Sequence, residues 1–394
     1  MNLLQLTQTT IYPPEQGGEH RSHGLTLAFQ QENHQTIRYC VGGLLSNHSM
    51  SGVTRELDIN KRYTEIRPLN PIYDLPSIPA TLFDVPGTLA KQVLLFYQAP
   101  ELKSLIKWSD IILAEGPHLS SAISHLTSDS PVIYSSHNVE IDRWRDVSDS
   151  SVDEYFFERL VKNERDAVEN CDAIICVSEA DKQRYNELFS PSSPIIVIPN
   201  GTSSENVHSD FIQKGTERFR DYYGIDSDDR LVVFVGSDYG PNISAVEFII
   251  QLSEKAKNEN DPLHFLVAGN VCSHFDEQHS NLTLAGFVED IDELYTAGDI
   301  ALNPITEGAG SNIKLIEYLS NSVPTVTTPF GSRGFELSDG NEVFIRNLDQ
   351  FYETILSLEE KQLQKISKNG RKKVREVYTW KKLSSLLLES LDDL

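Results

Sequence analysis

The chain has 394 residues, 39% of them hydrophobic and 23% charged, with a formal net charge of −24. That length suits two ordinary α/β domains better than one core, and the acidic balance excludes the broad phosphate-tracking surface that nucleic acids require. No apolar run approaches the length needed to span a bilayer.

The start MNLLQLTQTTIYPP lacks a basic region and a long apolar stretch, so it predicts a strand over Leu3 to Leu6 rather than a signal peptide. Four cysteines, Cys40, Cys171, Cys176 and Cys272, form neither a Cys-x-x-Cys pair nor a disulfide framework, and a cytoplasmic location is expected. Pro13-Pro14-Glu15-Gln16-Gly17-Gly18 reads as a turn before an amphipathic segment running to about Gln30. Gly17 and Gly18 permit close backbone approach to a ligand, though a plain strand-to-helix turn uses the same residues. Strands near Ile37 to Val41 and Tyr63 to Leu69, and a helix from about Pro86 to Gln98, follow with weaker signals. Asp110-Ile-Ile-Leu-Ala predicts a strand ending in Glu115-Gly116-Pro117-His118, and Val132-Ile-Tyr another ending in Ser136-His137-Asn138-Val139-Glu140. A histidine at a strand tip both donates and accepts near neutral pH and can orient a substrate hydroxyl. A single such histidine is more often structural, His118 particularly so. Tyr155 to Val168 reads as a charged helix, and Asp172 to Ser178 as a buried strand entering a helix capped by Ser178. Ile195 to Ile198 is a further strand, and Pro199-Asn200-Gly201 leads out of it to a hinge expected near residues 201 to 210.

The second half opens with a helix around Thr216 to Tyr223 and a strand over Leu231 to Val235. Asp226-x-Asp228 invites comparison with a metal-binding Asp-x-Asp, but it precedes a strand, in a polar turn where Asp is simply a good turn residue. No His/Cys/Asp cluster has metal-ligand spacing, so neither metal nor cofactor is expected. Gly236-Ser237-Asp238-Tyr239-Gly240-Pro241-Asn242 is a glycine turn into a helix bearing Val246, Ile249 and Ile250. Phe265 to Ala268 is a strand and Gly286-Phe287-Val288 the next. Ile300-Ala301-Leu302 is a buried strand, after which the turn Gly308-Ala309-Gly310 opens a helix carrying Lys314, Glu317 and Tyr318. Ser311, Asn312 and Ile313 are expected on its first turn, where free N–H groups suit an anion such as a diphosphate. Glu317, expected two turns further along, has an acceptor-only carboxylate suited to a pair of ribose hydroxyls. Val323 to Thr327 then leads to the loop Gly331-Ser332-Arg333-Gly334, at the edge where open α/β sheets bind ligands. Lys368 to Lys373 reads as a solvated helix face. Glu376 through Trp380 to Leu391 reads as one amphipathic helix with Leu383, Leu386, Leu387 and Leu391 on its apolar side.

Gly286-Phe287-Val288, Asp292 to Tyr295, Pro304, Gly-x-Gly-x-x-x-Lys-x-x-Glu from Gly308 to Glu317, and Pro324-Thr-Val-x-Thr through Gly334 together resemble the nucleotide-sugar half of the retaining glycosyltransferases of family 4. The resemblance implies an α/β GT-B fold, two Rossmann-like doubly wound domains facing a cleft. It implies an acceptor-side domain over residues 1–205, a nucleotide-sugar domain over 206–375 and a helix over 376–394 returning to the first. Donor contacts implied in this way are Gly17 and Gly18 on the diphosphate, Gly236 and Ser237 beside it, and Phe287 and Val288 against the base. Gly310, Ser311, Asn312 and Ile313 are implied to hold the phosphates and Glu317 the ribose. His137, in His-Asn-x-Glu, is implied to lie near the acceptor and the donor sugar.

This chain departs from the family pattern twice. Where many members carry an Arg after the glycine and a Lys a few residues later, it has Ser237 and approximately Asn242, leaving Lys314 and Arg333 to meet the leaving charge. Where many carry the first Glu of Glu-x7-Glu it has Ala309, and Glu307, the nearest carboxylate, can serve the same volume or be plain surface. The activity expected is retaining, metal-independent transfer of a hexose-type unit from a nucleoside-diphosphate sugar, the co-substrate, to a hydroxyl acceptor in glycan biosynthesis. That acceptor can be a glycan, a lipid-linked glycan, a protein or a small molecule. His137, Lys314 and Glu307 are the expected catalytic residues. A nucleotide-sugar 2-epimerase and a catalytically silent GT-B subunit remain alternatives.

Overall fold

The computed structural model describes residues 1–14, 17–30, 34–41, 55–68, 99–124, 126, 129–145, 151–203, 212–277, 279–308 and 310–391. The helix expected over Pro86 to Gln98 and the turn residue Ala309 lie outside them. The chain folds as two compact units, Met1–Asn200 with Trp380–Leu394, and Gly201–Thr379.

The first unit is built on β1 (Asn2–Thr7), β2 (Gln35–Cys40), β3 (Glu56–Asn60), β4 (Tyr63–Ile66), β5 (Ile111–Glu115), β6 (Val132–Ser135), β7 (Ala173–Cys176) and β8 (Ile195–Val197). They form one sheet in the order β3-β4-β2-β1-β5-β6-β7-β8, parallel except for the antiparallel β3–β4 edge. The chain reverses its direction of winding between β1 and β5. A central parallel strand covered on both faces must be apolar almost throughout, and β1 supplies Leu3, Leu4 and Leu6, all buried. Gln5 is its polar exception. Its amide donates to Ser22 O at 2.8 Å and to Glu115 at 2.6 Å, while its oxygen accepts from Arg38 Nε at 2.9 Å. The single strand expected over Tyr63 to Leu69 is instead the β3–β4 hairpin, which stops at Ile66. The sequence signal for β3 was faint because an edge strand keeps only alternate residues partly covered, and Glu56, Asp58 and Asn60 are exposed.

The second unit holds β9 (Arg230–Val235), β10 (Leu263–Ala268), β11 (Leu282–Gly286), β12 (Ile300–Asn303), β13 (Thr325–Thr327) and β14 (Phe344–Ile345), parallel in the order β11-β10-β9-β12-β13-β14. Here the winding reverses between β9 and β12. Ligands of open α/β sheets bind beyond the carboxyl ends of strands at such a reversal. β11 ends at Gly286, whose φ of 63° lies outside the extended region, so Phe287 and Val288 follow the strand instead of forming it.

The tail is two helices where one was expected. Thr202 pairs with Thr379 in a parallel bridge and its amide donates to Tyr378 O at 2.9 Å, which draws the chain out of the helix Glu360–Val377. A new helix, Trp380–Leu391, then packs Trp380, Leu383, Leu387 and Leu391 against Leu25 and Phe29 of the first unit. Leu386, expected on the apolar side, is 45% exposed. Arg21, fully buried nearby in the sequence, donates to Ile198 O at 2.8 Å and Asn200 Oδ1 at 3.2 Å and so fixes the end of the unit's last strand.

The contact between Gly24 and Trp380 is tight. A Cβ at Gly24 would lie 2.1 Å from Trp380 Cδ2, within the indole. Gly24→Ala should destabilise the first unit by roughly 1–3 kcal/mol, the usual cost of overpacking. An unchanged urea midpoint for this variant would contradict the described packing of the terminal helix.

Candidate functional site

In the second unit the loops leaving β9 and β12 meet. Gly236 follows β9, and Gly269, at φ 100°, comes so close that a Cβ there would stand 2.2 Å from Gly236 O. Glycine is the residue that permits both the positive φ and the approach. Beyond Gly236 the loop turns through exposed Ser237 into the helix Gly240–Glu259. Asn242, buried in that helix's first turn, donates to Ser237 O at 2.9 Å and accepts from Lys314 Nζ at 2.5 Å. The ammonium also lies 4.3 Å from the centre of the Phe234 ring. Burial pushes the Lys314 pKa down to about 7, against the opposing pull of the Glu317 carboxylate.

Lys314 and Glu317 share the helix Ile313–Ser320, three residues apart and therefore on one face. The helix starts later than expected. Asn312 is its N-cap and Ile313 its first residue, so Ser311 precedes it and Glu317 lies little more than one turn in. The Asn312 side chain makes no capping bond; it donates instead to Gly331 O at 3.5 Å. A start without a side-chain cap leaves first-turn amides for another acceptor. Burial raises the Glu317 pKa, against a 3.4 Å hydrogen bond from Tyr295 and the charge of Lys314. Tyr295 in turn packs edge-on against Tyr318, whose oxygen accepts from the amide of Val235 at the end of β9 at 2.9 Å.

Arg333, expected to help meet the leaving charge, is bonded to the loop before the helix. Its Nε donates to Gly310 O at 2.8 Å and its Nη2 to Gly308 O at 2.6 Å, with the guanidinium 3.7 Å from the Phe330 ring centre. Those carbonyls belong to the irregular loop before the helix, where Gly308 and Gly310 have φ of 111° and 69°. Arg333 therefore shapes that loop. Glu307 is exposed at its tip. Phe287 is 81% exposed just past β11, and Val288 packs partly against the core around Tyr295 and Tyr318.

In the first unit His137, at the tip of β6, pairs its Nε2 with Glu115 Oε2 at 2.7 Å. Burial alone would raise the Glu115 pKa, but the hydrogen bond and charge of His137 outweigh it and hold the carboxyl below its usual range. Gly17 and Gly18 open the helix Gly17–Gly24, and a Cβ at Gly18 would lie 3.3 Å from His137 Nδ1, so the glycine lets the helix start approach the imidazole. His118 is buried beside Asn163, 3.1 Å away, and burial lowers its pKa to about 4.

Sequence reasoning quoted Glu115 as the end of a strand and gave it no part. The available signal was a carboxylate closing a fully buried strand, where a charge needs a partner. Asn242, noted only for the basic residue it replaces, is the bridge between Ser237 and Lys314. Among the described residues no group of three or more His, Cys, Asp or Glu side chains could hold a metal ion, and no helix is long and apolar enough to cross a membrane.

Residues 229–361 match the family model described as Glycosyl transferases group 1, and residues 48–206 the one described as Glycosyltransferase Family 4. The chain is 23% identical over 266 residues to an uncharacterized 44.6 kDa protein in the cps region of Klebsiella pneumoniae, covering 62% of this chain and 63% of that one. It is 26% identical over 153 residues to the lipopolysaccharide glucosyltransferase WaaG of Escherichia coli (strain K12), covering 37% of this chain and 40% of WaaG. The chain thus spans less than two thirds of the length of each of these relatives. Solved structures with the same fold include the sucrose-phosphate synthase of Thermosynechococcus elongatus, with TM-score 0.71 at 13% identity, covering 100% of this chain and 99% of that one. Another is Anabaena HepE in complex with UDP-glucose, with TM-score 0.64 at 14% identity, covering 100% of both.

The Lys314 shift has a pH signature. A lysine whose folded pKa lies below its unfolded value costs stability in full below the folded value of about 7, and the cost fades as pH rises toward the ordinary 10.5. Lys314→Met removes the charge and keeps the stem. The melting temperature of the variant relative to wild type should therefore be most favourable at pH 6 to 7 and lose that advantage toward about pH 10. A difference that is flat with pH would mean the ammonium is not desolvated.

Proposed function

We propose, from the premise that the chain belongs to the glycosyltransferases of group 1 and family 4 with the GT-B fold, that it transfers a hexose-type unit from a nucleoside-diphosphate sugar to a hydroxyl acceptor with retention of anomeric configuration. The observation that carries this reading is the pairing of Lys314 with Glu317 on one uncapped helix start, the lysine having a neutral amide as its hydrogen-bonding partner. A partly matched cation beside first-turn amides suits the diphosphate. A carboxylate one turn along suits the ribose hydroxyls.

In this reading the unit Gly201–Thr379 takes the donor, and the unit Met1–Asn200 with Trp380–Leu394, which carries Gly17, Gly18 and His137, takes the acceptor. Gly236, Ser237 and the backbone of Gly310 to Ile313 surround the phosphates, and the backbone at Phe287 and Val288 meets the base. As the glycosidic bond breaks, negative charge grows on the diphosphate, and the Lys314 ammonium with the helix amides stabilises it where a metal ion does so elsewhere. His137, held by Glu115, orients a hydroxyl of the reacting sugar or the acceptor. Glu307, the carboxylate nearest in sequence to Ala309, is assigned to that sugar's other hydroxyls. The acceptor attacks from the face the diphosphate leaves, and the departing phosphate oxygen takes its proton.

UDP-glucose, bound in one of the fold neighbours, is the donor to test first. Glu317→Ala should weaken UDP binding by more than about tenfold, since a charge-assisted hydrogen bond contributes roughly 1.5–3 kcal/mol. Calorimetry showing unchanged affinity removes Glu317 from the site, and no UDP binding by the wild type would favour a silent subunit.

Lys314→Met should lower kcat for UDP-glucose more than it raises KM, because the interaction strengthens only as charge develops. Wild-type turnover in this variant overturns the role. Transfer should also survive EDTA; complete loss restored by Mg²⁺ or Mn²⁺ would refute the metal-independent reading.

A further inference from the structure

The segment that carries His137 is held from beneath by groups outside the site just described. Glu164, on the helix Ser151–Asn170, is fully buried. Its Oε1 accepts from the amide of Glu140 at 3.0 Å, from Tyr185 OH at 3.0 Å and from Tyr134 OH at 3.3 Å, and its Oε2 from the amide of Ile141 at 3.0 Å. Tyr185, buried on the helix Glu179–Phe189, also lies 2.8 Å from Ser136 Oγ and 3.2 Å from Asn138 O. Ser136 Oγ itself donates to Asn138 O at 2.7 Å. Bonds therefore tie the Ser136 hydroxyl on one side of His137, and backbone atoms of Asn138, Glu140 and Ile141 on the other, to one buried carboxylate and one buried phenol. The imidazole makes its own contacts elsewhere, at 2.7 Å to Glu115 and 3.5 Å to Ser22 Oγ.

An unpaired carboxylate in this position is expensive unless its acceptor capacity is used. Here it is used on two backbone amides and two hydroxyls that belong to, or touch, the turn. Nearby ionisable groups are Glu140, Tyr134 and Tyr185, none of them cationic. Burial pushes the Glu164 pKa up to about 7, while the bond from the Glu140 amide opposes that rise.

We propose that Glu164 and Tyr185 are positioning residues for His137, holding the segment Ser136–Ile141, which runs into the helix Glu140–Arg145, in the geometry that sets the imidazole against Glu115. This rests on the proposed role of His137 at the reacting sugar. Protonation of Glu164 converts one of its acceptor oxygens to a donor, so the turn is tightest when the carboxylate is charged.

The test separates positioning from activity. Histidine ring resonances are recorded by NMR in wild type, Tyr185→Phe and Glu164→Gln, with His137 assigned from His137→Asn. In both variants the His137 ring signals should move, while those of His264 and His274 in the second unit stay put. Superimposable His137 ring signals in folded variants overturn the proposal, and if Glu164→Gln does not fold, Tyr185→Phe decides. With UDP-glucose as probe, kcat for its turnover should fall by about tenfold or more at nearly constant KM, as small misplacements of a reacting group do. A rise in KM at unchanged kcat counts against positioning. His137 shifts in the variants together with no turnover by the wild type would support the positioning and count against the transferase reading.

Discussion

A charge taken out of water has to be met by something, and in the second unit the Lys314 ammonium is met by the oxygen of Asn242 and the face of Phe234. Much of the local architecture follows from that constraint. Asn242 can reach the lysine because Gly236 and Gly269 let two loops pass back to back, and Asn242 also closes the Ser237 loop. Lys314 can reach Asn242 because its helix follows the loop leaving β12, which lies beside β9 across the sheet's reversal. Arg333 fixes the carbonyls of Gly308 and Gly310, which sets the direction in which that helix begins.

The first unit solves the burial of charge differently. Glu65, fully buried, accepts from Arg38 at 2.9 Å, from Arg67 at 2.6 Å and from the amide of Tyr12 at 3.1 Å. Arg38 passes to Gln5, and Gln5 to Glu115, whose other oxygen holds His137. The carboxylate behind the histidine is thus the surface end of a network that starts in the core. Breaking a buried pair of this kind costs roughly 3–5 kcal/mol because it strands the remaining charge. That network gives the partner of His137 a fixed place at the end of β5.

How much of this the sequence disclosed depended on the range of the interaction. Ile300-Ala301-Leu302 emerged as β12 and Ser178 as a cap accepting from the Asp181 amide, because apolar runs and local caps are written within a few residues. The edge strand β3 was hidden by its alternating polar residues. The helix start moved from Ser311 to Ile313 because Arg333, far along the chain, holds the preceding carbonyls in an irregular loop that local rules cannot see. The pairing of Lys314 with Asn242 spans 72 positions and follows from strand order, not from either residue's neighbours. Glu115 and His137 were recognisable as the ends of two strands. Which of the polar groups there would pair was decided by the register that sets Glu115 beside Ser135, the residue at the end of β6.

The two networks also explain why one arrangement reads as framework and the other as a site. Around Glu65 each hydrogen-bonding face of the carboxylate is occupied and two guanidinium groups share its charge, so a ligand has nothing to add. Lys314 has three donors and one neutral amide oxygen as hydrogen-bond partner, and its carboxylate neighbour Glu317 is itself engaged by Tyr295. A folded chain tolerates such a deficit at some cost in stability when a bound anion relieves it, and that trade of stability for function is common at binding sites. The helix whose N-cap leaves its first amides uncapped points the same way, since amides and ammonium favour one kind of ligand. In the proposed reading, under-matched positive charge beside a carboxylate able to accept from a diol is therefore the physical content of a donor site.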